Sequence, residues 1–385
     1  MKSLSDYTKD LSASIEPRTK LKINSKEWKP ELFNVTRVEV SSSICGEAST
    51  CFVEMTSMNV ELKRSKIKLD ADFSEIKIGA KFEALLGYEI DGKIECESVF
   101  KGYISAMDVE IKNNQTFKVS IQGMDAKMWM MSNKKTELKK GKNKYSMVVL
   151  DVCNDYLSKL EGKAVEIKNE VEFEKDIYQR NESDFEFLSK IAKLTGCLFF
   201  INLGKLNFIS PAVNKSPKLK ITPEDFVFNA KVSASVWGIP KSVEVVGIDP
   251  KDYEQVISAK SSNSESIGDG KDAASLTSNI SDVNTIKIVD NTVKSVNEAS
   301  FLAEAIYNLR ELNLVEAVLE VIGYPLIELG MGVKLDNFGD PIDNDYIVSG
   351  IKHYCICENE TLPVYRTRIF LKTNRMNPRE KINLF

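Results

Sequence analysis

The chain has 385 residues, 43% hydrophobic and 28% charged, with a formal net charge of −4. That length exceeds one ordinary core and calls for two or three domains. The balance is that of a soluble globular protein: it carries no general basic footprint for nucleic acid, and no run approaches the roughly 18–20 apolar residues of a membrane span.

In chain order, the polar opening "MKSLSDYTKDLSASIEP" lacks the apolar stretch of a secretory signal. Residues 21 to about 123 then alternate in short segments: "NVTRVEVSSS", "CFVEMTS", "KFEALLGYEI", "SVFKGYISAMDVEI" and "TFKVSIQG". Asp91-Gly92 inside "EIDGKIE" suits a two-residue type I′ turn, which needs positive φ at both positions. Strands at near-regular spacing predict a small β-barrel or sandwich over residues 1–124.

Residues 125–225 read as a mixed middle domain. The lysine-rich run Asn133 to Lys144 is expected as a solvated loop. Ser146 is the expected N-cap of a helix presenting Val149, Val152, Cys153, Tyr156 and Leu157, with Gly162 as its stop. Next comes "DIYQRNESDFEFLSKIAKLTGCLFFINLGKLNFIS", Asp176 to Ser210. Ser183 and Glu186 stand in the relation of a capping box, each satisfying an amide at the helix start. Phe185, Leu188, Ile191, Ala192 and Leu194 follow at helical spacing, and Gly196 occupies the place of a left-handed cap. "CLFFI", the turn "NLGK" and "LNFIS" complete a hairpin.

Residues 226–385 predict a second β domain with a Ser-rich insertion at about 251–290. Ser258 to Asp282 is nearly free of large apolar residues, so a long excursion or disorder is expected there. Ser295 and Glu298 form a second capping box before Ala299, Leu302, Ala303, Ile306 and Tyr307. The two β domains look related: "IGAKFEAL" parallels "MGVKLDNF", setting Gly79 against Gly332. "VFKGYISAM" parallels "IVSGIKHYC", setting Gly102 against Gly350. The predicted fold is α+β, mainly β, with two related small barrels flanking the middle domain.

Catalytic signatures are missing from the sequence. His353 is the single histidine, so a metal site or Cys-His pair built on imidazoles has no second member, and a structural or interfacial role is expected. Seven cysteines, an odd number, are scattered apart from Cys355 and Cys357, which points to reduced thiols made in a cytoplasm. The C-x-C spacing puts both thiols on one face of a strand. No nucleophile elbow or phosphate loop occurs. Trp28, Trp129 and Trp237 are spread over different segments, against a single sugar platform. Two classes of function remain: a structural assembly protein, and an enzyme or glycan-binding protein that binds or degrades cell wall.

Three ordered motif sets carry a resemblance. They are "VFKGYISAM" with "VSIQGMDAKMWM", "YQRNESDFEFLSKIAKLTGCLFF" with "GKLNF", and "GYPLIELGMGVKL" with "YIVSGIKHY". In this order the chain resembles the late-control D or baseplate-hub proteins of contractile phage tails, and the amino-terminal hub region of VgrG spike proteins. The resemblance implies a structural hub without catalytic residues, cofactor or metal. Three copies would form a pseudo-six-fold ring adapting a hexameric inner tube to a trimeric central spike. Implied partners are the chain itself, the tube ring, a separate spike protein, and baseplate wedge or tape-measure proteins. Sequence-specific nucleic-acid binding is not implied. The particle would be extracellular, a phage tail or a tail-like bacteriocin. Ring contacts are expected around Phe82, Gly102, Ile104, Val333, Gly350 and Ile351. The helix–hairpin with Ser183, Glu186, Leu188, Ile191 and Gly196 would be a rigid bracket.

Overall fold

A computed structural model describes residues 2–4, 16–28, 33–44, 46–57, 76–112, 116–173, 177–225, 227–248, 256–262, 264–278, 285–357 and 363–377. After the short β1 (Lys2–Ser3), the alternating segments form β2 (Glu16–Ile23), β3 (Lys26–Trp28), β4 (Phe33–Ser43), β5 (Thr50–Ser57), β6 (Lys81–Ile90), β7 (Lys93–Lys112) and β8 (Thr116–Met124). In β5, Cys51, Val53 and Met55 are buried while the residues between them are only partly covered, the period of a sheet with one packed face. Asp91 and Gly92 have φ of 49° and 78°, and Ile90 pairs with Lys93, so the expected two-residue turn joins β6 to β7. The strands lie in the order β3-β2-β6-β7-β8-β5-β4, each antiparallel to the next.

The middle of the chain supplies α1 (Lys127–Met130), β9 (Lys134–Lys139), α2 (Tyr145–Asn154), β10 (Gly162–Glu166), β11 (Ile177–Ser183), α3 (Asp184–Thr195), β12 (Leu198–Asn202) and β13 (Lys205–Ile209). The remainder supplies β14 (Pro217–Ile221), β15 (Val227–Ala234), β16 (Ser242–Ile248), β17 (Val256–Ser261), α4 (Ala273–Leu276), β18 (Thr285–Val289), α5 (Val296–Glu311), β19 (Val315–Ile322), β20 (Gly332–Leu335), β21 (Asn344–Ile356) and β22 (Val364–Thr373).

The chain is mainly β, as expected, but its two β regions are joined. Residues 37–43 of β4 run antiparallel along residues 350–356 of β21, within a single 14-stranded sheet. Among the described strands the pairings form an open path. No barrel closes among the described strands, and the regions expected as two small barrels share one continuous sheet, in which the outer edge of β4 is satisfied by a strand some 310 residues later. Cys355 and Tyr365 enter the same buried cluster as Val38, Val53, Phe82 and Ile121, so the joint is packed as well as hydrogen-bonded.

Three local expectations are corrected. The lysine-rich run is a loop only in part: residues 134–139 form β9, which pairs with β11, and its Lys135 and Lys139 reach Asp184 at 2.7 Å and Asp151 at 3.2 Å. Ser146 does not cap α2. The helix begins one residue earlier, and both the amide and hydroxyl of Ser146 donate to the Glu170 carboxylate, at 2.7 and 2.6 Å. Residues 264–278 of the Ser-rich stretch are ordered against the body. Ile267 and Ala273 are buried, the Ile267 amide donates to Asn374 Oδ1 at 2.9 Å, and Lys271 bridges to Met376. The Arg375 guanidinium donates to the Ser264 carbonyl and to the fully buried Glu311 carboxylate, each at 3.1 Å. A segment poor in apolar groups is thus held by satisfied polar ones. Residues 251–255, 263 and 279–284, also within the expected insertion, lie outside the described residues.

Candidate functional site

The helix–hairpin forms as its sequence dictates. The Glu186 amide donates to Ser183 Oγ at 3.2 Å and the Ser183 amide donates to Glu186 Oε2 at 2.7 Å, closing the capping box. These bonds, with the Ser183 amide foremost, hold the Glu186 carboxyl below its usual range. Beside it, burial pushes the Asp184 carboxyl up, but hydrogen bonds from Lys135, Tyr156 and Gln179 outweigh that and keep it low. Leu188 and Ile191 are buried, and β12 and β13 are joined through Leu203 and Gly204 at φ of 45° and 83°. Gly196 caps α3 at φ 67°, and a Cβ there would stand 2.6 Å from the Ala305 carbonyl oxygen of α5. The glycine therefore serves two purposes, a left-handed turn and the close approach of two helices. The core around α3 also takes in Val243, Val245, Phe301, Leu302 and Tyr307 from the following region.

Of the residues expected at ring contacts, Phe82, Ile104, Val333 and Ile351 have side chains buried inside the chain itself. Gly102 is a point of close approach, since a Cβ there would lie 2.3 Å from the Met124 carbonyl oxygen. Gly350 and Ile351 lie on a stretch of β21 whose two edges are taken by β22 and β4. His353 is buried, its Nδ1 3.1 Å from Thr367 Oγ1 and 3.0 Å from Tyr365 Oη, and burial lowers its pKa to about 3. Cys355 and Cys357 share one side of the chain with sulfurs 3.5 Å apart. Among the described residues no cluster of three or more potential metal ligands occurs, and no helix is long and apolar enough to cross a membrane.

What the structure brings forward instead is a duplicated five-strand unit. The order β4-β5-β8-β7-β6 recurs as β15-β19-β22-β21-β20, with the same chain order and antiparallel pairing throughout. Both first strands carry a bulge, between Val35 and Arg37 in one unit and between Val227 and Asn229 in the other. Both long fourth strands change neighbour midway and bulge just beyond, between Ile104 and Ala106 and between Val348 and Gly350. The same hydrogen bonds bracket that point. Gly79 N donates to Ile104 O and Ile104 N to Ala80 O at 2.8 and 3.0 Å; Gly330 N donates to Val348 O and Val348 N to Met331 O, both at 2.8 Å. The units thus match, but in a different register from the sequence alignment. Gly79 corresponds to Gly330, both at positive φ, and Gly102 corresponds to Tyr346. Glycines align readily by identity, whereas the equivalence follows the bulges.

The fold is shared with solved phage-tail and type VI secretion proteins. The 43 kDa tail protein of prophage MuSo2 from Shewanella oneidensis is 16% identical with a TM-score of 0.63, over 92% of this chain and 97% of that one. A tail protein from Neisseria meningitidis is 11% identical with a TM-score of 0.63, over 93% and 96%. A type VI secretion component of E. coli, described as structurally similar to bacteriophage T4 tail proteins, is 9% identical with a TM-score of 0.55, over 91% and 76%. At such identities the likeness establishes a common fold. No curated protein matches by sequence. The profile of the Alg8 N-terminal domain matches residues 16–356, and the chain belongs to that family.

Proposed function

We propose that this chain is the structural hub of a contractile injection system, related to the late-control D and VgrG-type hubs. Three copies form a pseudo-six-fold ring between a hexameric inner tube and a trimeric central spike. The observation that carries the reading is the duplicated five-strand unit. Two equivalent units per chain give six around a ring of three, so one assembly offers six similar surfaces to a tube and three to a spike. Closed rings of this kind are built from heterologous contacts. The solved tail and type VI secretion proteins of the same fold support it. On this reading the chain works by contact rather than chemistry, and α3 with its hairpin braces the sheet through α5. Its partners are further copies of itself, the tube ring, a spike protein, and wedge or tape-measure proteins. It is made in a bacterial cytoplasm and ends in the baseplate of an extracellular phage tail or tail-like particle. Sedimentation and electron microscopy of the purified chain, alone and with the spike, test this. The expected result is a three-fold ring with six lobes at one radius. A stable dimer, or a trimer with its two units at different radii, overturns it.

A further inference from the structure

We propose that residues 106–112 of β7 in one copy pair antiparallel with residues 229–235 of a second copy, joining the two chains into one sheet. The template is inside each molecule. The outer edge of β4 is paired with residues 350–356 of β21, Gly350 opposite Ser43 and Ile356 opposite Arg37. In the duplicated unit β15 stands for β4 and β7 stands for β21. Among the described strands, the edge of β15 away from β19 has no partner, nor does the edge of β7 beyond Tyr103 on the β6 side. One chain cannot join these two edges through the contact it already uses at β4 and β21, so each seeks its complement on a neighbour.

Carrying the bulge-based equivalence across sets the register. Ala106 falls opposite Ser235, Asp108 opposite Ser233, Val109 opposite Val232, Glu110 opposite Lys231, and Lys112 opposite Asn229. The Ile44 amide, which donates to the Ser349 carbonyl at 3.0 Å, has its counterpart in Val236 approaching Ser105. Three features agree with this register, and none was used to derive it. Glu110 meets Lys231, an opposite-charge pair across strands. Val109 and Val232 take the places of His353 and Val40, both buried at the internal joint. In the single chain Met107 and Val109 are 38% and 51% exposed, alternating with charged Asp108 and Glu110. An alternating apolar edge left open is an aggregation hazard unless a partner covers it. Trp237, 93% exposed, follows two residues after the seam, the type of side chain that anchors interfaces.

Three internal joints and three joints between chains would make six equivalent seams. The count of three rests on the ring reading above, while the pairing rests on the repeat alone. The test is a double variant, V109C/V232C, oxidised and run without reductant beside the wild type, which controls for native thiols. Directly opposed residues in an antiparallel pair stand about 4.5–5.5 Å apart at Cα, within disulfide reach. Expected are covalent dimers and trimers for the double variant, with neither single variant nor the shifted pair V109C/Ser235→Cys giving trimers. A charge reversal, Glu110→Lys, should weaken association about 5-fold, and adding Lys231→Glu should restore it, the scale of about 1 kcal/mol for a cross-strand ion pair. Trimers by sedimentation that do not cross-link at 109 and 232, or that cross-link only in the shifted register, overturn this pairing and leave the ring reading standing. A chain that stays monomeric at high concentration overturns both.

Discussion

Replacing Gly196 with alanine tests whether the helix–hairpin is a brace. Two costs add at this position. The backbone sits at φ 67°, where a side chain costs about 1–2 kcal/mol. The new Cβ would also stand 2.6 Å from the Ala305 carbonyl oxygen and 2.9 Å from its Cα, backbone atoms that no rotamer change can move away. Forcing α3 and α5 apart is overpacking, typically about 1–3 kcal/mol, for a sum of about 2–5 kcal/mol against a stability of about 5–15. Gly92→Ala is the matched control: φ is 78° and no heavy atom lies within 4 Å of the added Cβ, so only the conformational cost applies. Urea unfolding of both variants, followed by circular dichroism at one protomer concentration, should place the G196A midpoint clearly below that of G92A. Equal midpoints would refute the close contact of α3 with α5.

His353→Gln should leave assembly nearly intact, because the ring is held by Thr367 and Tyr365 inside the core; loss of particle activity with normal assembly would reopen an enzymatic reading. Its folded pKa of about 3 lies below the ordinary 6.5, so the unfolded chain binds the extra proton first and stability falls as pH drops from 6.5 toward 3. Between pH 6.5 and 5 the loss approaches about 2 kcal/mol in the wild type, and H353Q should show a shallower acid dependence of its urea midpoint. Arg375→Ala strands the Glu311 carboxylate in the core, at a cost of about 3–5 kcal/mol. Limited proteolysis should then cut within residues 264–278 first, and an unchanged digestion pattern would count against their anchoring. Leu188→Asp places an unpaired carboxylate in a fully buried site, at several kcal/mol, and should abolish the cooperative transition; a normal transition would mean that the face is exposed.

Local chemistry was legible from one dimension. The Ser183–Glu186 box, Gly196, the Asp91-Gly92 turn and the Ser295 N-cap need only neighbours a few residues away, so their physics is written in short spacing. The second expected box differs in its return bond: the Glu298 amide donates to Ser295 Oγ, and the Glu298 carboxylate accepts from the Lys294 amide. Alternation likewise disclosed the strands and their buried faces. The errors lay where a local signal had a distant partner. Ser146 gave its hydroxyl to Glu170, the lysine-rich run found Asp151 and Asp184, and a polar stretch rich in serine was ordered by Arg375, Asn374 and Glu311. A polar residue looks solvated until its partner folds beside it, and composition cannot show that partner. The duplication was visible as a pattern of glycines, yet its register was not, because a bulge shifts equivalence without leaving a residue that marks it. Only the tertiary structure could show that β4 closes onto β21 while, among the described strands, the matching edges of β7 and β15 have no partner: strand pairing is backbone hydrogen bonding, and every residue but proline carries the same donor and acceptor.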